Sequence, residues 1–394
     1  MPTRAATGVS TRPDTAGAIA EALKMASTAL GGSSPTLGVI FASPRHDLVT
    51  ALASARRAAP DAAFVGCTTA GEITERGLTR GGLAVLLLVS DEMLFDLRTA
   101  KSVKADPSRA AAELCQGYAE TSRQAADRGW ASSSTVLLVD GLNGAGEGLV
   151  DAVLSATRRF QQVVGGAAGD DGAFRATHVG AGLEATADAA AALHVFSPKP
   201  WGVGVDHGLR PTTGKMVVTK AEKNVVHQID GRPAFEIYRE YAAKRGVTLL
   251  PESAGSFLIG NELGIYFFDR LHRARAPLAV GPDGSLSCAG EIPQGASICI
   301  LDGEPVAMLA AASRAAEEAR KHLAGGEAAA VLLFDCVCRG MILDGQFGRE
   351  IDAVRAAFPG VPVAGFLTYG EIARFKGRMD GWHNATAVVT AIPA

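Results

Sequence analysis

VGCTTAGEI, Val65–Ile73, and AGFLTYGEI, Ala364–Ile372, carry glycine, threonine, glycine and glutamate at the same offsets near opposite ends of the chain. Each stretch reads as the end of a strand running into a tight turn. A turn built twice points to a repeated unit, and internal repeats set the architecture before single elements do.

Outward from the two turns, three segments share one grammar: Leu37–Ile73, Val136–Asp171 and Ala330–Ile372. Each opens with a short apolar run, the signature of a buried strand. A helical stretch follows. In the first segment Ser43-Pro44 reads as its N-cap and first residue. In the second, Leu149, Val150, Val153, Leu154 and Phe160 fall on one helical face, and in the third Ile351, Val354 and Phe358 do the same. Another apolar run and the glycine turn complete each segment. Phe41 to Gly66 and Asp140 to Gly165 both span 25 residues, whereas Asp335 to Gly365 spans 30, so the third unit has a longer loop. The second turn reads Gly165-x3-Gly169-Asp170, one residue shorter than the two G-x4-G-E turns.

Further strands follow each turn: GLAVLLLVS, AAALHVFS and TAVVTAI. Strand–helix–strand order implies parallel crossovers. KMVVTK and NVVHQI, between Lys215 and Ile229, add strands of a mixed kind. The predicted class is α/β: two packed domains with mixed, largely parallel sheets built from strand–helix–strand–glycine-turn units. The predicted divisions are an N-terminal tail and first helix (1–31), a first domain (32–221) and a second (222–394). The second domain opens on a turn and a helix from about Pro233. It continues through SFLIG, a hairpin signal at Gly281–Gly284, and an alanine-rich helix over roughly Glu304–Leu323.

Bulk properties narrow the function classes. At 394 residues the chain exceeds one ordinary core. With 47% hydrophobic and 20% charged residues it is globular, and a net charge of −3 provides no basic field for nucleic acid or anionic lipid. No apolar run reaches the roughly 18–20 residues a bilayer span requires. The N-terminus lacks an apolar signal core. Six irregularly spaced cysteines do not form a disulfide framework. The expected setting is reduced and cytoplasmic, with no nucleic acid and no membrane.

The motifs suggest binding more than chemistry. Thr68 and Thr69, then Thr368 and Tyr369, offer hydroxyls just before Gly71-Glu72 and Gly370-Glu371. Glycine lets a backbone approach a ligand closely. Glu72 and Glu371 either accept hydrogen bonds from an amine or tie down their own turns. Asp170 ends the second turn in the same role. Asp335, Cys336 and Arg339 stand at the carboxyl end of the third unit's first strand, the usual ligand face of an open α/β sheet. Arg339 either clamps a carboxylate or pairs with a nearby acid. Cys336-x-Cys338 has no second ligand pair for zinc. DGLNGAGEG, Asp140–Gly148, matches no nucleotide fingerprint and reads as a tight turn. Cys67 and Cys336 are the candidate nucleophiles of an enzymatic reading. His178, His194 and His207 are the candidates for a haem iron, with hydrogen-bonded structural histidines as the plainer reading.

Taken in order, VGCTTAGEI, VVGGAAGDD, FEIYREY, FDCVCRG and AGFLTYGEI resemble the FIST family, whose members carry a FIST N-terminal domain followed by a FIST C-terminal domain. The resemblance covers roughly Gly32 to the end. The family's glycine turns match Gly66, Thr68, Gly71 and Glu72, and Gly365, Thr368, Tyr369, Gly370 and Glu371. Its C-x-x-R-G pattern matches Cys336, Arg339 and Gly340. The resemblance implies a sensory input module of bacterial signal transduction that takes a small polar ligand such as an amino acid. It also implies a separate output partner, such as a histidine kinase, a cyclic-di-GMP enzyme or a chemotaxis protein. In this reading Glu72 or Glu371 holds an ammonium group and Arg339 a carboxylate. No cofactor is expected; the alternative it implies is a haem-based nitric oxide sensor.

Overall fold

The computed structural model describes residues 2–157, 162–267, 270–375 and 378–394. Three units follow one plan. The first runs β1 (Arg4–Ser10), α1 (Thr15–Ala29), β2 (Leu37–Ala42), α2 (Leu48–Ala58), β3 (Ala63–Thr68), a hairpin of β4 (Glu72–Thr74) and β5 (Gly77–Thr79), and β6 (Leu83–Val89). The second runs β7 (Leu94–Lys101), α3 (Pro107–Leu114), α4 (Tyr118–Asp127), β8 (Ser132–Val139), α5 (Gly146–Ala156), β9 (Gln162–Ala167), the hairpin β10 (Val179–Ala181) and β11 (Glu184–Thr186), and β12 (Ala189–Ser197). The third opens with β13 (Gly202–Asp206) and is then interrupted.

The interruption is a separate antiparallel sheet. It comprises β14 (Arg210–Pro211), β15 (Met216–Glu222), β16 (Val225–Ile229), β17 (Arg232–Pro233), α6 (Ala234–Ala243), α7 (Gly255–Gly260), β18 (Leu263–Phe267), β19 (Arg270–Arg275), β20 (Pro277–Val280), β21 (Leu286–Cys288) and β22 (Ser297–Asp302). Its own core gathers Phe235, Tyr238, Leu258, Leu286 and Ile298. The third unit then resumes with α8 (Pro305–His322), β23 (Ala328–Cys336), α9 (Val337–Leu343), α10 (Phe347–Ala357), β24 (Val363–Thr368), the hairpin β25 (Glu371–Phe375) and β26 (Arg378–His383), and β27 (Ala387–Pro393).

Each unit builds a six-stranded sheet of the same order, and each sheet ends with a hairpin from a different unit. The orders are β1-β6-β2-β3-β10-β11, β7-β12-β8-β9-β25-β26 and β13-β27-β23-β24-β4-β5. The first unit's hairpin therefore completes the third sheet, the second's the first, and the third's the second. The two halves expected from the sequence are packed and interlocked by this cyclic exchange.

The mixed α/β class is as read from the sequence. Each sheet holds one parallel pair, β2 with β3, β8 with β9, and β23 with β24, flanked by antiparallel neighbours. Runs such as LGVIFA are buried along their whole length because both sheet faces are covered. Inner faces of the three sheets share one core. There Phe366 packs 4.9 Å from Phe41 and 5.8 Å from Phe334, ring centre to ring centre. Each buried ring of this kind stabilises by roughly 1.5–3 kcal/mol. Helices cover the outer faces, with Ile19 and Leu52 of α1 and α2 on the first sheet, and Leu149, Met308 and Ile351 of α5, α8 and α10 on the others.

Local departures have local causes. Asp47, not Ser43, caps α2, its carboxylate accepting from the Thr50 amide at 3.0 Å. Ser43 turns away and donates to Asp171 at 2.6 Å, so the Ser43-Pro44 pair belongs to the loop before the helix. Ser256–Gly260 is helical within α7. Leu149, Val150, Val153 and Leu154 line the buried face of α5, while Phe160 lies outside the described residues. The alanine-rich helix matches α8 closely, and Ala221–Asn224 spans the turn between β15 and β16. Among the described residues no helix is long and apolar enough to cross a membrane.

Candidate functional site

The recurring first glycine marks where the chain crosses between sheets. Gly66, Gly165 and Gly365 face Ile40, Leu137 and Leu333 across the parallel pairs. A Cβ at these positions would lie 2.4, 1.9 and 1.8 Å from the carbonyl oxygens of those three residues. On its other side each glycine meets the borrowed hairpin, at Gly180, Ile372 and Ile73 respectively. A side chain there would strike the backbone of the parallel neighbour, which glycine avoids.

The acids then fasten each crossing. Glu72 accepts from the Thr69 hydroxyl at 2.5 Å and from the amide of Gly82, just before β6, at 3.0 Å. Glu371 accepts from Thr368 at 2.5 Å and from the Thr386 amide, just before β27, at 3.0 Å. In the second unit Asp140 takes the part, accepting from Thr177 and from the Asp188 amide before β12, both at 2.5 Å. Each staple ties an acid to the start of the unit's closing strand. Glu72 and Glu371 are fully buried. Burial pushes the Glu72 carboxyl up to about 8, and Glu371 well above its ordinary range.

The three turns converge, and they meet one another. Ala70 N–H donates to the Leu367 carbonyl and Leu367 N–H to Gly71, while Gly169 N–H donates to Thr68 and Tyr369 N–H to Ala167. Thr68 Oγ1 also takes the His178 amide at 2.9 Å. The Tyr369 hydroxyl donates to Asp170 at 2.5 Å and accepts from the Gly172 amide at 3.0 Å. Asp170 accepts three further amides, Phe174, Arg175 and Ala176. Burial raises the Asp170 carboxyl, but these hydrogen bonds outweigh it and hold the group below its ordinary value. Phe174, half exposed, stacks on Tyr369 at 4.6 Å.

Asp335, Cys336 and Arg339 form the inner wall of the third turn. Arg339 is fully buried and pairs with Asp335 at 3.0 Å and with Glu350 of α10. Its remaining donors reach the carbonyls of His207, Ala385 and Met308. Every guanidinium nitrogen is thus engaged by the protein. Burial disfavours the Cys67 and Cys336 thiolates, so both groups are held as thiols.

One neighbouring residue escaped the sequence reading. Glu262, between α7 and β18, is 1% exposed, and neither carboxylate oxygen has a hydrogen-bond partner among the described residues. It lies within electrostatic reach of Arg275, Arg339, Cys336 and Glu371. The segment Trp382–Thr386 passes these same groups. Arg275 donates to the Trp382 carbonyl, Arg339 to that of Ala385, and Glu371 takes the Thr386 amide. Along it, Asn384 Oδ1 and Trp382 Nε1 are also buried without partners among the described residues. A buried polar atom left unpaired costs roughly 1–3 kcal/mol, so a carboxyl with both oxygens unpaired calls for an explanation. The only signal in the sequence was an acid at the mouth of the apolar run LGIYF.

The remaining candidates are dispersed. His194 is bonded at both ring nitrogens, to Thr135 at 2.7 Å and to the Leu114 carbonyl at 2.9 Å. His207 Nδ1 accepts the Leu209 amide at 2.9 Å, and His178 lies just before β10 beside the first turn. Among the described residues no three His, Cys, Asp or Glu side chains are grouped to hold a metal ion.

Comparison with known proteins places this architecture in a family. The FIST N domain model matches residues 36–232 and the FIST C domain model residues 234–374. An uncharacterized protein of Mycobacterium tuberculosis is 28% identical over 411 residues, covering 98% of both chains. A second, from Mycobacterium bovis, is 25% identical over 402 residues, covering 98% of this chain and 97% of the relative. Among solved structures a cyanuric acid hydrolase aligns over all of both chains at 7% identity with a TM-score of 0.37. The chain belongs to the FIST family, with a FIST N domain and a FIST C domain, which suggests a sensory or ligand-binding role in signal transduction.

Proposed function

We propose that this chain is a sensory protein that binds a small polar, amine-bearing metabolite, with amino acids as the first class to test, and signals to a separate output protein. Its partner would be a histidine kinase, a cyclic-di-GMP enzyme or a chemotaxis protein. The ligand site is the junction between the inserted sheet and the third glycine turn. The observation that carries this reading is Glu262, buried at that junction with neither carboxylate oxygen partnered among the described residues.

Of the acids picked out by the sequence, Glu371 stays in the ligand role. Each of its oxygens accepts one hydrogen bond and keeps one acceptor position. Asp335, Cys336 and Arg339 form the wall behind it. Thr68, Thr69, Gly71, Glu72, Asp170, Thr368, Tyr369 and Gly370 hold the converging turns in place. The inserted sheet is fastened to the second unit through Glu147, which takes Arg273 at 3.0 Å, Arg275 at 2.6 Å and the Glu291 amide at 3.0 Å. A ligand bridging Glu262 and Glu371 biases how that sheet sits on the three-unit body, and a partner reads the bias.

A thermal-shift screen of amino acids and their decarboxylated amines tests this, using wild type, Glu262→Gln and Glu72→Gln. The expected ligand stabilises wild type and Glu72→Gln but not Glu262→Gln. A ligand that ignores Glu262→Gln and is lost in Glu72→Gln would move the site to the first turn.

A further inference from the structure

We infer that the inserted sheet carries a second ligand site, a cleft that takes a small organic phosphate monoester. The cleft lies between α6, the loop joining β14 to β15, and β22, and holds about 550 Å3, a volume ordinary for small-molecule sites. Three cations line it, Lys215, Lys244 and Arg245, against one acid, Glu240.

The negative groups around it are already matched. Arg232 donates to both oxygens of Glu240 and pairs with Glu236 at 3.6 Å. Asp302 engages Arg245 through Nη1 alone, at 2.9 Å. At the C-terminal end of α6 the carbonyls of Glu240, Ala242 and Ala243 are taken by the amides of Lys244, Arg245, Gly246 and Val247. The Lys244 ammonium, by contrast, has no partner among the described residues.

Arg245 is set to receive an anion. Its guanidinium lies over the Tyr241 ring, 4.4 Å from the ring centre, and Nη1 is held by Asp302 and, at 3.4 Å, by Asn261. The ring is itself fixed. The Thr212 hydroxyl donates to the Ile300 carbonyl at 3.0 Å, so the Tyr241 hydroxyl donates to Thr212, at 2.8 Å. Nε and Nη2 of Arg245 have no acceptor among the described residues. That edge of a guanidinium meets two oxygens of one anion side by side. On the loop wall the Thr213 hydroxyl accepts the Ile300 amide at 2.9 Å and keeps its own proton to donate.

The donor set separates phosphate from carboxylate. A carboxylate has two oxygens and one charge, which the open edge of Arg245 uses up. A phosphate monoester adds a third terminal oxygen and, at neutral pH, most of a second charge, for Lys244 and Thr213 to receive. Met216, Ile237 and Ile300 give the cleft an apolar wall for the organic part of the ester.

Isothermal titration of the full chain with phenyl phosphate, inorganic phosphate and benzoate tests this. Phenyl phosphate should bind at least about tenfold tighter than either of the others. Arg245→Lys, which keeps the charge and loses the fork, should weaken it at least about tenfold, and Lys244→Gln about threefold or more. Arg239→Gln removes a charge from the same helix outside the cleft and should leave binding unchanged. Circular dichroism checks the fold of each variant. Benzoate binding as tightly as phenyl phosphate overturns the phosphate assignment, and inorganic phosphate binding as tightly overturns the part given to the apolar wall. No binding of phenyl phosphate at millimolar concentration overturns the site, as does binding that Arg245→Lys and Lys244→Gln leave unchanged. The junction site, read through Glu262, stands or falls separately.

Discussion

The first and third glycine turns share a motif and differ in what surrounds it. At the first, Glu72 is stapled to Thr69 and Gly82 and sits beside its own loop. At the third, Glu371 makes the same two contacts, with Thr368 and Thr386, but a second buried acid, Glu262, lies within electrostatic reach of it from the inserted sheet. The repeat explains the staple. It does not explain the junction, which exists only where the insertion meets the third unit. The same four residues therefore serve architecture twice, and meet the inserted sheet, where the ligand site is proposed, once.

The largest expected effect lies behind the third turn. Arg339→Ala leaves Asp335 and Glu350 buried without their cation and should cost about 3–5 kcal/mol in urea unfolding. A loss under about 1 kcal/mol would show that this triad does not hold the third unit together.

Next come the crossing glycines, where the two regions should behave alike. Gly66→Ala and Gly365→Ala each force a methyl group against a strand carbonyl, at 2.4 and 1.8 Å, and should each cost about 1–3 kcal/mol, with Gly365→Ala the worse. Equal stability of either variant with wild type would break the claim that the shared glycine is a packing requirement.

The pH dependence of stability comes third. Glu72 and Glu262 both have folded values raised from 4.5 to about 8. The folded protein then holds protons that the unfolded chain has lost. The stabilisation is fully present below about pH 4.5 and is lost as pH rises through about 8, by roughly 1.4 kcal/mol per pH unit for each group. Glu72→Gln and Glu262→Gln should each flatten urea midpoints measured from pH 5 to 8. Unchanged slopes would mean the acids are already ionised. The two variants should match in this respect and part only in amine binding.

The smallest effect is the most discriminating. Thr69→Val and Thr368→Val each remove one hydrogen bond to a buried acid and should cost about 1 kcal/mol. Thr368→Val should also change affinity for the amine selected by the thermal-shift screen, because its partner faces the junction. Thr69→Val should not.

The chain announced its repeats clearly and its exchanges hardly at all. Continuous apolar runs such as LGVIFA and the spacing from Phe41 to Gly66 located the parallel pairs, because buried strands and their helices leave long, regular patterns. Which sheet receives the hairpin beginning at Glu72 was not legible. Three residues, Glu72–Thr74, pair with β24 across a sequence gap that no local signal records. Asp335 and Arg339 stand four apart, so their pairing was within reach of the sequence, but Glu350 arrives from another helix. Glu262 was invisible for a similar reason. An acid at a strand's mouth is ordinary in sequence, and only the fold buries it without a partner. Ser43 misled because its contact, Asp171, lies 128 residues away, while Asp47 caps the helix nearby.

Hydrogen–deuterium exchange with and without a saturating concentration of that amine at pH 8 tests most directly the claim that the junction, and not the shared turn, takes the ligand. Added protection should fall on peptides containing Glu262, Cys336–Gly340 and Trp382–Thr386, and leave Gly66–Gly82 unchanged. Protection confined to Gly66–Gly82 would contradict the account.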